Sequence, residues 1–296
     1  MIRLRVFAVS FIFFTFFTCT KNYPQSAPKP DVNQKEDGNN TFFLNVLNKA
    51  LLPENISANI LKAVNENPSF VSGITLILRT DPYLWKLVDK NNSLGESYAP
   101  DDLVELKKGS YLVNRKDLTL RKTAADSLEE MAQAAKKEEV TLTASSAYRS
   151  YSYQAQVYDR NVREMGKESA DRESARPGFS QHQLGLVVDF GSISDAFTGT
   201  KEEVWLSRNA WRYGWSLSFP EGMESITGYR WESWHYRYVG AELAKFINDY
   251  FNGIQQYALQ FLKAYSENKL VQLQNIHNNL LPDIPTQRAR RRRGSG

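Results

Sequence analysis

The sequence predicts an α+β fold, and three observations carry that prediction. Strand-like segments are short and apolar, as at Leu186 to Phe190. Helix-like segments fall between them at irregular intervals, without the regular strand–helix alternation of a doubly wound sheet. A chain of 296 residues, 42% of them hydrophobic, also has the material for a sizeable core.

Taken in order, Asn45 to Asn65 shows helical spacing through Val46, Leu47, Leu51, Ile60, Leu61 and Val64, interrupted by Pro53. Tyr83 to Val88 reads as a short strand before the turn residues Asn91-Asn92. Leu118 to Lys137 is the clearest amphipathic helix, with Ala124, Leu128, Met131 and Ala135 at three- and four-residue steps. Val140 to Ala144 reads as a strand leading into Ser145-Ser146-Ala147-Tyr148-Arg149-Ser150, and a helix follows from Ser152 to Met165. Glu173 to Gln181 is a loop holding Pro177-Gly178, and Leu186 to Phe190 is a strand. Glu202 to Tyr213 is helical; Trp215 to Phe219 and Trp234 to Val239 are strands. Gly240 to Tyr265 closes the domain as an apolar-striped helix. No internal repeat is visible.

The two ends differ from the body. The chain has 37 Lys+Arg against 33 Asp+Glu, but Arg3, Arg5, Arg288 and Arg290 to Arg293 sit at the termini. Without those seven, the body carries 30 basic and 33 acidic residues, so its charge gives no support to a nucleic-acid partner. Two arginines followed by the apolar run Val6 to Phe17 read as a secretory signal, too short for a transmembrane helix. The lone cysteine, Cys19, follows that run and reads as a lipidation point, giving residues 1–19 as a signal with a lipobox. Simple cleavage and a retained signal anchor are the alternatives. Each places the body outside the cytoplasm, membrane-held in the first case as a lipoprotein facing periplasm or cell wall. Residues 20–40, with Pro24, Pro28, Pro30 and Gly38, read as a flexible tether. Residues 41–265 form the domain, and 266–296 a polar segment with an arginine-rich end.

One cysteine excludes disulfides within the chain and cysteine-rich metal sites, so any metal must use histidine and carboxylate. Two of the three histidines have dense surroundings. His182 lies on a loop, with Asp189 on the strand that follows and Gly185 permitting a turn between them. His235 follows Trp231-Glu232-Ser233-Trp234, where a bend at Ser233 would bring Glu232 and His235 into one cleft. Two imidazoles and a carboxylate leave zinc a fourth position for water, and a carboxylate outside the ligand set, Glu232, could serve as base. Spacing alone leaves the other reading open: core or surface histidines, a strand-end Asp189 and a surface Glu232. His277, amid Gln and Asn, has no companion carboxylate.

Ser-x-His-x-x-Gly-x-x-x-Asp followed by Glu-x-Trp-His resembles the VanY-like D-alanyl-D-alanine carboxypeptidases among the LAS zinc peptidases. The resemblance runs from Tyr83-Leu84-Trp85-Lys86-Leu87-Val88-Asp89-Lys90, through Tyr98-Ala99-Pro100-Asp101-Asp102-Leu103 and Ser146-Ala147-Tyr148-Arg149-Ser150-Tyr151, to Trp234-His235-Tyr236-Arg237-Tyr238-Val239-Gly240. It implies a small antiparallel sheet carrying a zinc site, flanked by helices in a hedgehog-like fold. It also implies one Zn²⁺ held by His182, Asp189 and His235, Glu232 as catalytic base, and Arg149 engaging substrate. Arg149 suits a C-terminal carboxylate or developing oxyanion, being a planar, permanently charged fork. Ser146, Tyr148, Gln154 and Ser180 would shape the pocket, and Tyr151, Trp231, Trp234 and Tyr236 would wall it or pack into the core. Gln181, Leu184 and Ala147 depart from the usual Glu, Thr and Gly of the family and bear on substrate preference. The implied activity is D,D-carboxypeptidase action on peptidoglycan stem peptides. L,D-carboxypeptidase or endopeptidase cleavage, or a non-catalytic wall-binding lipoprotein, are the alternatives.

Overall fold

The computed structural model describes the backbone of residues 32–280 and the side chains of residues 40–275. The apolar leader, Cys19, the side chain of His277 and the arginine-rich end lie outside the described residues. Helix α1 spans Val32–Ala50, so helix begins inside the segment expected to be a tether. Pro53 then precedes α2, Glu54–Glu66. Helix α3, Pro68–Arg79, starts where the Asn67 side chain accepts from the Ser69 amide and Pro68 supplies a preset φ. The same device, Asp81 with Pro82, starts the single turn α4, Pro82–Trp85. This corrects the strand expected at Tyr83 to Val88: Asp81-Pro82 is a helix-start signal that overrides the apolar run behind it.

Strands β1 (Leu103–Glu105), β2 (Leu112–Val113) and β3 (Thr119–Arg121) precede α5, Lys122–Lys137. Strand β4 is Thr143–Ser146, a few residues beyond the expected position. Helix α6, Tyr151–Met165, is capped by Ser150, whose hydroxyl accepts from the Tyr153 amide, and α7 is Lys167–Glu173. Strand β5, Val187–Phe190, is followed by α8, Lys201–Asn209. Then come β6 (Trp215–Leu217), α9 (Glu224–Thr227) and β7 (His235–Tyr238). The final expected helix is two, α10 (Ala241–Tyr250) and α11 (Gln255–Leu280). Asn252 and Gly253, both at positive φ, break the chain between them. Helix α11 runs on past Tyr265 without a break.

The main sheet has the order β2-β4-β5-β7-β6; only the β2–β4 pair is parallel. Strands β1 and β3 form a separate antiparallel pair. Register sets Asp189 opposite both Ser146 and His235, which puts these three side chains on one face. Val188, Phe190 and Tyr236 point the other way, into a core with Leu128, Met131 and Ala135 of α5 and Trp215. A second core, among α1, α2, α3, α10 and α11, gathers Phe43, Ile60, Phe70, Phe246, Phe251 and Phe261. No helix among the described residues is long and apolar enough to cross a membrane.

Candidate active site

Three backbone segments converge on the polar face of the sheet. His182 sits on a 3-10 turn, Gln181–Leu184, whose first amide–side-chain bond runs from the His182 amide to Ser180 Oγ at 3.3 Å. Gly185 ends that turn at φ +68, and Leu103, Arg121 and Pro100 crowd the place where a Cβ would stand. A left-handed residue with no side chain is therefore required between the turn and β5. Asp189 and His235 face each other across β5 and β7.

All three side chains are buried, and one ligand atom from each lies within 4.8 Å of the others. His182 Nε2 is 3.2 Å from Asp189 Oδ2, and His235 Nδ1 is 3.2 Å from Asp189 Oδ1. His182 Nδ1 lies 2.7 Å from the Ala147 carbonyl; donation to that oxygen leaves Nε2 as an acceptor facing the site. Asp189 Oδ1 is buried without a hydrogen bond. Such an orphaned oxygen beside two imidazole nitrogens fits a cation, and this donor set with no thiolate suits Zn²⁺.

Glu232 enters from the loop before β7, with Oε2 3.3 Å from His235 Nδ1. It stands beside the cluster without belonging to it, as a base must. Burial raises its carboxyl above the ordinary range, partly offset by His235. Burial would also raise Asp189, but the two imidazoles win and hold it well below the usual carboxylate value. The histidines diverge. Burial and the Arg149 charge bring His182 down to about 4, whereas Asp189 and Glu232 overcome burial at His235 and lift it to about 9.

Arg149 has more than one task. Its Nη2 donates to Asp189 Oδ2 at 2.8 Å and to Ser146 Oγ at 2.8 Å, and its Nη1 reaches Gln154 Oε1 at 3.4 Å. The arginine expected to engage substrate thus braces Asp189 of the histidine–carboxylate cluster. Gln154 is buried and anchored to the Ala175 carbonyl at 2.7 Å. Ser146, Arg149, Gln154 and Ser180 line one cleft of about 360 Å³ with His182, Asp189, Glu232 and His235. Tyr148 does not line it; its amide donates to the Thr119 carbonyl, tying the loop after β4 to β3. Trp234 lines the cleft, whereas Tyr236 belongs to the sheet core. Of the residues that depart from the family pattern, Gln181 is buried and accepts from Ser218 Oγ at 2.8 Å, while Leu184 is core. The cleft also includes residues the sequence reading did not single out: Arg115, Tyr153, Arg160, Phe219, Tyr229 and Arg230. The Phe219 ring packs tilted against the His235 ring, with centroids 4.6 Å apart.

A family model described as VanY, D-alanyl-D-alanine carboxypeptidase, matches residues 117–241. YodJ of Bacillus subtilis (strain 168) is 39% identical over 186 residues, covering 60% of this chain and 68% of that protein. A D-alanyl-D-alanine carboxypeptidase of Enterococcus faecalis (strain ATCC 700802 / V583) is 32% identical over 192 residues, covering 61% and 68%. The chain belongs to the VanY family.

This VanY-family chain is therefore a hydrolase of the carboxypeptidase class, on a fold shared with solved zinc peptidases. The LdcB LD-carboxypeptidase structure is 36% identical with a TM-score of 0.53, covering 59% of this chain and 89% of that one. The structure of a vancomycin-resistance D,D-pentapeptidase, a VanY E175A mutant in complex with Zn(II), is 30% identical with a TM-score of 0.51, covering 60% and 98%. His182, Asp189, Glu232 and His235 all fall inside the matched residues, as does Arg149.

Proposed function

We propose that this protein is a zinc-dependent D,D-carboxypeptidase that removes the terminal D-alanine from peptidoglycan stem peptides. One observation carries the reading: a buried His182–Asp189–His235 cluster with an extra carboxylate, Glu232, 3.3 Å from one ligand, on the floor of an open cleft. A binding protein has no use for that fourth group. Zinc, when bound, supplies a Lewis acid that polarises the scissile carbonyl and acidifies water. Glu232, with its raised proton affinity, takes the proton of the attacking water and passes it to the departing amine nitrogen. Arg149 presents its remaining N–H groups to the terminal carboxylate or to the oxyanion as charge develops. The Ala147 carbonyl keeps His182 in one tautomer throughout. An N-terminal signal with Cys19 as lipid attachment would hold this enzyme at the membrane, within reach of the wall.

A second reading, L,D-carboxypeptidase action on tetrapeptides, is favoured by the 36% identity to the LdcB LD-carboxypeptidase. Endopeptidase cleavage would use the same residues. Mass spectrometry of purified muropeptides, incubated with and without chelator, separates the three. Chelator-sensitive loss of one D-alanine from pentapeptide supports the proposal. Loss from tetrapeptide alone supports the L,D reading, internal cleavage supports the endopeptidase, and unchanged masses overturn all three.

A further inference from the structure

The cleft wall that leads away from the metal ligands is built of arginine. Tyr153, Val157 and Arg160 project from one face of α6, and Arg115 reaches over from the segment between β2 and β3. Arg115 Nη1 donates to Tyr153 Oη at 3.3 Å, and its guanidinium lies over the Tyr153 ring, 5.8 Å from the centroid. Together with Arg149, these charges surround one phenol closely enough to lower its pKa, the Arg115 hydrogen bond contributing most.

The acids of the cleft do not neutralise this wall. Asp189 and Glu232 belong to the metal end, and Glu173 lies 3.4 Å from Arg230, which also binds Asp195. Among the described residues, Arg115 and Arg160 make no ion pair, unlike Arg149 and Arg230. Both are exposed at the cleft, where a charge-assisted bond to an incoming anion costs little desolvation.

We propose that Arg115 and Arg160, with Tyr153 holding Arg115 in place, form a subsite for a side-chain carboxylate on the peptide N-terminal to the scissile bond. This rests on the carboxypeptidase reading and adds a preference for acidic over amidated peptides. Arg149 lies at the metal end and serves the terminal carboxylate, so the outer pair reads a second, separate anion.

The test uses two synthetic peptides ending in D-Ala-D-Ala, identical except that the two preceding residues carry free side-chain carboxylates or the corresponding carboxamides. Isothermal titration against the zinc-loaded Glu232→Ala protein measures binding without turnover. The acidic peptide is expected to bind about tenfold more tightly than the amide. Adding Arg115→Gln and Arg160→Gln should bring that ratio close to one. Equal affinity for the pair, failure of both to bind, or a preference that survives the double substitution overturns the subsite. Absence of cleavage of either peptide by the unsubstituted enzyme counts against the D,D-carboxypeptidase reading instead, and the titration still decides the subsite.

Discussion

The core beneath the sheet and the core among the helices divide the molecule's labour. The first packs Val188, Phe190 and Tyr236 against α5 and so fixes the strands whose other face carries Asp189 and His235. The second packs phenylalanines from both ends of the chain, and its members apart from Val239 lie outside the family-matched residues 117–241. The candidate site therefore lies within the family-matched residues, while most of the helical core lies outside them. The two are joined by buried polar links. Gln255 Nε2 donates to the Ser216 carbonyl and to Ser218 Oγ, Ser218 Oγ donates to Gln181 beside His182, and Gln256 Nε2 donates to Asp89. Helix α11 thus buttresses the turn that holds His182, through neutral amides that add no charge to the site.

Substitutions on each side should separate the two roles. Glu232→Ala should keep zinc and lower kcat by about 10²–10⁴-fold, the usual worth of a general base, whereas His182→Ala should lose both zinc and turnover. Metal analysis beside a hydrolysis assay reads the contrast, and full turnover by Glu232→Ala would refute its assignment. In the helical core, Phe261→Ala should cost about 3–5 kcal/mol in denaturant unfolding while the folded fraction keeps its kcat at low temperature. Loss of kcat without loss of stability would show the helices to be part of the chemistry. Gln255→Leu lies between them. It strips Ser218 and the Ser216 carbonyl of a partner, for a loss of about 1–3 kcal/mol, with a smaller fall in zinc affinity measured by competition with a chelator.

The smallest effect concerns pH. Burial lifts Glu202 to about 7, although the Thr143 amide donates to it at 2.6 Å. A raised carboxyl favours the folded state while protonated. Its contribution is therefore complete below the unfolded value near 4.5 and is lost as pH rises through about 7. Glu202→Gln should remove that decline, so its advantage in Tm over the unsubstituted protein should grow from pH 5 to pH 8. A constant difference would mean the carboxyl does not titrate in that window.

Much of the site was legible because its residues announce themselves locally. Ser180, His182, Gly185 and Asp189 occupy one short turn-and-strand unit, and Glu232 and His235 another, so only their meeting had to be supplied by the sheet register. The amphipathic stripe of α5 was equally plain, because its buried residues follow the helical period. Other features left no such mark. Tyr83 to Val88 looked extended because three apolar residues have no clear period, although Asp81-Pro82 was the better guide. The single long helix expected after Gly240 ignored Asn252-Gly253, a stop signal in plain sight. Arg115 and Tyr153 are distant in sequence and meet only through the fold. The helical core escaped notice as a unit for the same reason: its halves stand at opposite ends of the chain.

That last arrangement has a consequence for the order in which the molecule assembles. The Asn67 side chain donates to the Tyr250 hydroxyl across 183 positions, and Phe43 stacks on Phe261. The sheet closes once β7 has joined, but α1 to α3 have no completed partner surface until α10 and α11 are present. Closing so long a loop is slow and exposes apolar faces in the interval. A chain interrupted after Val239 would carry His182, Asp189, Glu232 and His235 and three unsatisfied helices, so aggregation, rather than miswired chemistry, is the expected failure of a truncated copy.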